Sequence, residues 1–254
     1  YSSAASDVYK RQIYYGLSQG YLALRDYEQC DYYSELAGKN YADMFPDEKH
    51  FYLNNRGNSY YYRGDYSTAI GYFRKVVELV KDYPDMSWAL NLSYLNLSDC
   101  FLQLNKTDSV VKYLELCQPF FEELGSTTAL YYIDTQKIEL ALQCKDFAEA
   151  RRLLAMSKAS PEIDADMIHI RNKYLQQFYE ETGNYRQAYD YLKENKRLDD
   201  SIRNERIRMR TADLTLRYQQ DSTLMAHKVL FQTQENEMLI LRQTRLVTLA
   251  VAVI

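Results

Sequence analysis

Hydrophobic and polar positions along the chain fall into blocks that repeat. In the clearest block Leu53, Arg56-Gly57 and Tyr60 lead into the polar turn Gly64-Asp65-Tyr66, after which Ala69 and Phe73 follow. That spacing predicts a helix, a tight turn and a second helix, with small residues where the helices approach and aromatic rings filling the space between them. Weaker copies recur on either side. The first has Leu17, Tyr21, Arg25-Asp26-Tyr27, Cys30 and Ser34; the third has Tyr94, Leu97, Phe101, Val110 and Leu114 around Lys106-Thr107. The fourth has Ala141, Lys145-Asp146-Phe147, Ala150 and Leu154, and the fifth Leu175, Tyr179, Gly183-Asn184-Tyr185, Ala188 and Leu192. The aromatic or Thr after each turn stands at 27, 66, 107, 147 and 185, in steps of 39, 41, 40 and 38 residues. Pro46, Pro84 and Pro161 stand at the expected joints between units, where proline ends helices, and Pro119 lies inside the third unit.

These offsets resemble those of the tetratricopeptide repeat, most specifically in the second block, and the resemblance covers residues 13–199. It implies an all-α fold, a right-handed α-solenoid of about five helix–turn–helix repeats in which each unit buries its core against its neighbours. The steps exceed the usual 34 residues of that repeat, so the helices are about a turn longer or the joints are.

Beyond the repeats, Ser201 to Thr244 contains neither Gly nor Pro and predicts one long helix with Asp or Ser of the Leu198-Asp199-Asp200-Ser201 stretch as its cap. Its charge differs from that of the repeats. Residues 201–245 carry eight Lys/Arg against five Asp/Glu, whereas residues 13–200 carry 21 against 29. Heptad columns through Ile207 and Leu214, and through Tyr218, Met225, Leu239 and Leu246, are interrupted by Asp221, Lys228 and Gln232, so a strict coiled coil is not expected. Residues 200–245 read as a capping and linker helix that offers a homodimer contact. Residues 246–254 are uncharged and apolar and read as the start of a truncated transmembrane helix, nine residues of the roughly 20 a span needs. Residues 2–12 resemble a translated sequencing adapter, so residues 1–12 are set apart as an artefact.

The order of repeats, charged helix and apolar run resembles bacterial membrane-anchored tetratricopeptide signalling proteins, through Leu198-Asp199-Asp200-Ser201-Ile202 and Leu216-Arg217-Tyr218-Gln219-Gln220. The resemblance implies a sensory or scaffolding ectodomain, periplasmic, joined through the membrane to a histidine kinase or helix-turn-helix output domain. Arg242 and Arg245 before the apolar run favour the opposite topology by the positive-inside tendency. Two other readings are a cytosolic peptide-pheromone receptor, with 246–254 folded back, and a fragment of an enzyme whose catalytic domain is missing.

Composition sharpens this picture. Eight Gly and four Pro in 254 residues leave few turn-formers, which suits a helical array. Tyr, at 26, is in excess, and most copies fall on or beside repeat positions, where a ring packs between helices and its hydroxyl stays at a wet edge. The net charge of −4 argues against nucleic acid as a partner of this fragment. His50, His169 and His227 are far apart, and Cys30, Cys100, Cys117 and Cys144 have no Cys-x-x-Cys spacing, so no metal, redox or catalytic set is legible. Packing is the better reading for the cysteines, although a Cys100–Cys117 contact inside one repeat is conceivable. Glu122-Glu123 and Glu180-Glu181 are adjacent and point to different helix faces. No catalytic residue, metal ligand or cofactor site is predicted.

What remains is a binding surface. In tetratricopeptide solenoids the first helix of each unit lines the concave face. Carried over, those positions are Asn54, Asn58 and Tyr61, then Leu95, Asp99 and Leu102, then Tyr132, Thr135 and Glu139, then Lys173, Gln177 and Glu180. Asn54, Asn58, Tyr61, Asp99, Tyr132, Lys173 and Gln177 are the candidate peptide groove. Asn amides bond an extended backbone through donor and acceptor, and Tyr adds rigid area. With Lys173 its only cation, the groove is neutral to acidic and lacks a clamp for a terminal carboxylate.

Overall fold

The computed structural model describes residues 2–39, 41–156 and 163–252, with the side chains of 2–7, 220–221, 237 and 239–252 left aside. Among the described residues every regular element is helical. Five helix pairs follow one another: α1 (Ser2–Ala23) with α2 (Tyr27–Ala37), α3 (Pro46–Tyr62) with α4 (Tyr66–Val80), and α5 (Ser87–Gln103) with α6 (Thr107–Leu124). Then come α7 (Thr127–Gln143) with α8 (Phe147–Met156), and α9 (Ala165–Glu181) with α10 (Tyr185–Ala252). The chain forms an all-α solenoid. Residues 27, 66, 107, 147 and 185, the turn markers of the sequence, are each the first residue of a second helix.

One turn is built five times. Two residues before each second helix the backbone is left-handed, at Arg25, Gly64, Asn105, Lys145 and Gly183. The next amide, of Asp26, Asp65, Lys106, Asp146 or Asn184, donates back to the carbonyl of Tyr21, Tyr60, Phe101, Ala141 or Tyr179, which satisfies an orphan carbonyl at the end of the first helix. In four of the turns the same residue caps the second helix through its side chain, Asp26 to the amide of Gln29 (3.3 Å), Asp65 to Thr68 (3.1 Å), Asp146 to Glu149 (3.0 Å) and Asn184 to Gln187 (3.4 Å). Lys106 supplies no such cap.

The tyrosine excess has a structural use with the same period. Stacked rings lie six residues either side of the second-helix start. Tyr21 lies on Tyr33 (centroids 5.5 Å), Tyr60 on Tyr72 (5.5 Å), Phe101 on Tyr113 (5.6 Å) and Tyr179 on Tyr191 (5.7 Å). In the fourth unit the two positions are Ala141 and Leu153, both buried. At the second unit Gly57 is required by contact, because a Cβ there would stand 2.5 Å from Cε1 of Phe73.

Core layers straddle neighbouring units. Ala69, Ile70 and Phe73 pack with Leu97 and Cys100, and Leu102, Val110, Leu114, Cys117 and Phe121 pack with Ile133. A polar bond crosses each junction as well. Asn55 Nδ2 donates to Ser18, Asn96 Nδ2 to Asn54 Oδ1 (3.1 Å), Ser98 Oγ to Gln136 Oε1 (2.7 Å) and Arg171 Nε to Thr135 Oγ1 (3.1 Å). All four cysteines are free, so Cys100 and Cys117 make no disulfide; both thiols are buried, and burial pushes that of Cys117 up to about 12.

The joints follow the prolines in part. Pro46 opens α3, and Pro84 opens a single 3-10 turn before α5. Pro119 lies inside α6, and Pro161 falls outside the described residues. Residues 2–12, set apart in the sequence, form the first half of α1, where Arg11 pairs with Glu48 through two bonds of 3.0 and 3.2 Å.

The C-terminal helix corrects one expectation. No helix starts at 198–201: α10 begins at Tyr185 as the second helix of the fifth unit and continues through that stretch to Ala252. Nothing between these residues stops a helix, since the segment has no Gly or Pro, and the Asp199 carboxylate pairs with Arg203 one turn on (2.8 Å) instead of capping a new start. The chain divides into two compact units, residues 1–203 and 204–254. In the first, Ala188, Asn195 and Leu198 of α10 are buried, and Asn195 Nδ2 donates to the carbonyl of His169 (3.1 Å). In the second, Leu214, Met225 and Phe231 are exposed. Among the described residues no helix is long and apolar enough to cross a membrane, and the side chains of 246–254 lie outside them.

Candidate functional site

The first helices of successive units pack on one another, α3 on α5, α5 on α7 and α7 on α9. Between them lies a cleft of about 330 Å³. Its walls are Asn58, Tyr61 and Tyr62 from the end of α3, Phe73 from α4, Asn96 and Asp99 from α5, Tyr132 from α7, and Asp164, Asp166, Met167 and Ile170 at the start of α9. The backbone turn supplies the aromatic wall: α3 ends at Tyr62, so the two adjacent tyrosines at its last turn point to different sides of the helix end.

Asp99 is the buried pole of this cleft. The Tyr132 hydroxyl donates to its Oδ2, and the Tyr61 hydroxyl and Gln103 donate to it as well. Burial pushes the Asp99 carboxyl up, and the three donors pull it back. Burial and the neighbouring carboxylate raise both Tyr61 and Tyr132 well above the ordinary phenol range, so both keep their protons. At the rim, Asp164 caps α9 by accepting from the Met167 amide (2.8 Å), and Asp166 is exposed. Among the described residues the lining contains three carboxyl groups, and the Arg25 guanidinium stands 3.6 Å over the ring of Tyr62.

Of the predicted groove residues, the structure places Asn58, Tyr61, Asp99 and Tyr132 on this cleft. Asn54 stands beside it, half-buried, accepting from Asn96. Lys173 and Gln177 lie further along α9, Lys173 exposed and Gln177 bonded to Glu181 Oε1 (2.8 Å). Leu95, Leu102 and Thr135, carried over as groove positions, are buried instead. The cause is the next unit: the face stays open at the second and fifth repeats, but at the third and fourth the following first helix lies over it, with Tyr132 reaching back to Asp99 and Tyr174 to Glu139.

Glu139 is the outcome of that closure. It is 9% exposed and accepts from Gln103 and Gln143 (3.3 Å each) and from the Tyr174 hydroxyl. Burial, with Asp99 nearby, pushes its carboxyl up to about 7. Arg171, also buried, stacks 3.7 Å over the Tyr131 ring. Sequence reasoning missed Tyr62, Asn96, Asp164, Asp166, Met167 and Ile170; the Asp at the cap position before α9 was the one signal that could have located the rim. Among the described residues no group of His, Cys, Asp and Glu could hold a metal ion.

The model of the tetratricopeptide repeat family matches residues 50–83, which run from α3 to the end of the second unit. The second unit is similar to that repeat in sequence as well as in shape. Comparison with curated proteins finds no match. Among solved structures, the fold is similar to the crystal structure of BtubC (BKLC) from P. vanneervenii. The two are 17% identical, with a TM-score of 0.53, and the likeness covers 70% of this chain and 75% of that one. The repeat suggests a protein-interaction or scaffolding module, and the neighbour supports the helical-repeat fold.

Proposed function

We propose that this chain is a non-enzymatic module that binds an extended protein or peptide segment along the face formed by its first helices. The observation that carries the reading is the cleft between α3, α5, α7 and α9, where Asn58 and Asn96 amides, three tyrosine rings and the apolar side chains of Phe73, Met167 and Ile170 converge from five helices. Amides pair with a peptide backbone, and rings supply rigid contact area at low entropy cost. Its size is that of a subsite for one or two side chains, so affinity would come from several subsites along the face. The test is a peptide selected on the full chain from a random linear library. Asn58→Ala should weaken that peptide about tenfold or more at unchanged thermal stability, and equal binding by both chains would overturn the reading.

The membrane-anchored sensory placement is the finer part of the same proposal. Its support is the run of α10 from the fifth repeat through the charged stretch into the apolar 246–252 segment. Fractionation of the product of the complete reading frame tests it: recovery with membranes supports it, and recovery free of them refutes it.

A further inference from the structure

The seam between α7 and α9 is held at three levels. Arg171 Nε of α9 donates to Thr135 Oγ1 (3.1 Å), the Tyr174 hydroxyl donates to Glu139, and Phe178 packs on Ile138, Ala141 and Leu142. The middle level contains a buried acid. The donors to Glu139, from Gln103, Gln143 and Tyr174, are all neutral. A second buried acid stands beside it. Asp99 of α5 accepts from the same Gln103 side chain, so one amide bridges two carboxyl groups on successive first helices. Two carboxyl groups in one poorly hydrated site oppose each other's ionisation, and the pair carries one charge more readily than two.

The surrounding groups leave that balance in place. Glu139 is also faced by the Tyr66 phenol of α4 and by Lys173 of α9, whose side chain is exposed. Asp99 is faced by Tyr61 and Tyr62 of α3, Tyr66 of α4 and Tyr132 of α7. The helices α6 and α8 meet α7 through Val110, Phe121, Ala150 and Leu153. Charging the second acid is costly while it is covered and cheap once water reaches it, so rising pH favours a state in which its cover lifts. On one side that cover is α5, fixed to α7 by the layer of Leu95, Leu102 and Ile133 and by the Ser98–Gln136 bond. On the other it is the half-buried Tyr174 of α9, the last first helix among the described residues.

We infer that α9 is a proton-operated latch, closed on α7 while the Asp99–Glu139 pair keeps its proton and loosened when both acids are ionised. Since α9 carries Asp164, Met167 and Ile170, the latch sets the rim of the cleft. The inference needs no ligand and stands apart from the peptide-binding reading.

Hydrogen exchange of the full chain at about pH 5.5 and about pH 8.5 tests it, each rate divided by the intrinsic rate at that pH. Protection across residues 171–181 should fall at least about tenfold at the higher pH, while α3 and α4 keep theirs. Glu139→Gln keeps the shape and an acceptor oxygen but cannot ionise, and it should abolish the fall. Asp99→Asn removes the neighbouring charge and should move the midpoint of the fall to lower pH. Level protection in the natural chain, or an equal fall in Glu139→Gln, would overturn the latch. An unmoved midpoint in Asp99→Asn would overturn the coupling of the two acids on which it depends.

Discussion

Gly57→Ala probes the closest contact in the second repeat. A Cβ at position 57 would lie 2.5 Å from Cε1 and 2.8 Å from Cζ of Phe73. The ring must shift, and Phe73 is 1% exposed in a layer filled by Ala69, Ile70, Leu97 and Cys100. Overpacking of this kind costs about 1–3 kcal/mol. The exchange of Gly for Ala inside a helix returns about 1 kcal/mol. The net expectation is a loss of about 0–2 kcal/mol, or up to roughly 8 °C in melting temperature for a domain of this size. Urea unfolding followed by helical circular dichroism measures it. Phe73→Leu should make room, so Gly57→Ala in that background should cost at least about 1 kcal/mol less than in the natural chain. A Gly57→Ala chain that is more stable than the parent by about 1 kcal/mol, the propensity gain alone, would refute the contact. Additive behaviour of the two substitutions would refute it equally.

Two further expectations concern the turns and the buried acid. Lys145 is left-handed (φ 59°) at the position where the second and fifth units use glycine. Lys145→Gly should therefore raise stability by up to about 1 kcal/mol, read as an increased urea midpoint, and a decrease would count against the shared turn. Glu139 has a folded-state pKa raised from 4.5 to about 7, so the folded state holds its proton more tightly than the unfolded chain. The stability it contributes is fully present below about pH 4.5 and lost as pH rises to about 7, on the order of 3 kcal/mol across that window. Glu139→Gln should flatten this part of the stability profile between pH 5 and 8, and an unchanged profile would show that the acid is not buried as described.

The turns and the cores were legible because each is local or nearly so. Five polar turns about forty residues apart marked the start of every second helix, and Gly57, Ala69 and Phe73 took the packing roles their spacing implied. The face was legible only where the next unit leaves it open. Whether Asp99 or Glu139 meets solvent depends on how far Tyr132 and Tyr174 of the following helix reach back, a register that no single repeat encodes. The rim of the cleft comes from the cap before α9, which belongs to a different unit from the tyrosines it faces. The expected helix start at 198–201 failed for a simpler reason. Asp and Ser cap a helix only where the backbone turns, and without Gly or Pro nearby α10 has no cause to turn.

The central claim is that ligands dock on the face of the first helices. Hydrogen–deuterium exchange of the full chain, with and without a library-selected peptide, tests it most directly. Binding should slow exchange at the end of α3, in the middle of α5, near Tyr132 of α7 and across the first turns of α9. Protection confined to α4, α6 and α8, or to residues 204–252, would contradict it.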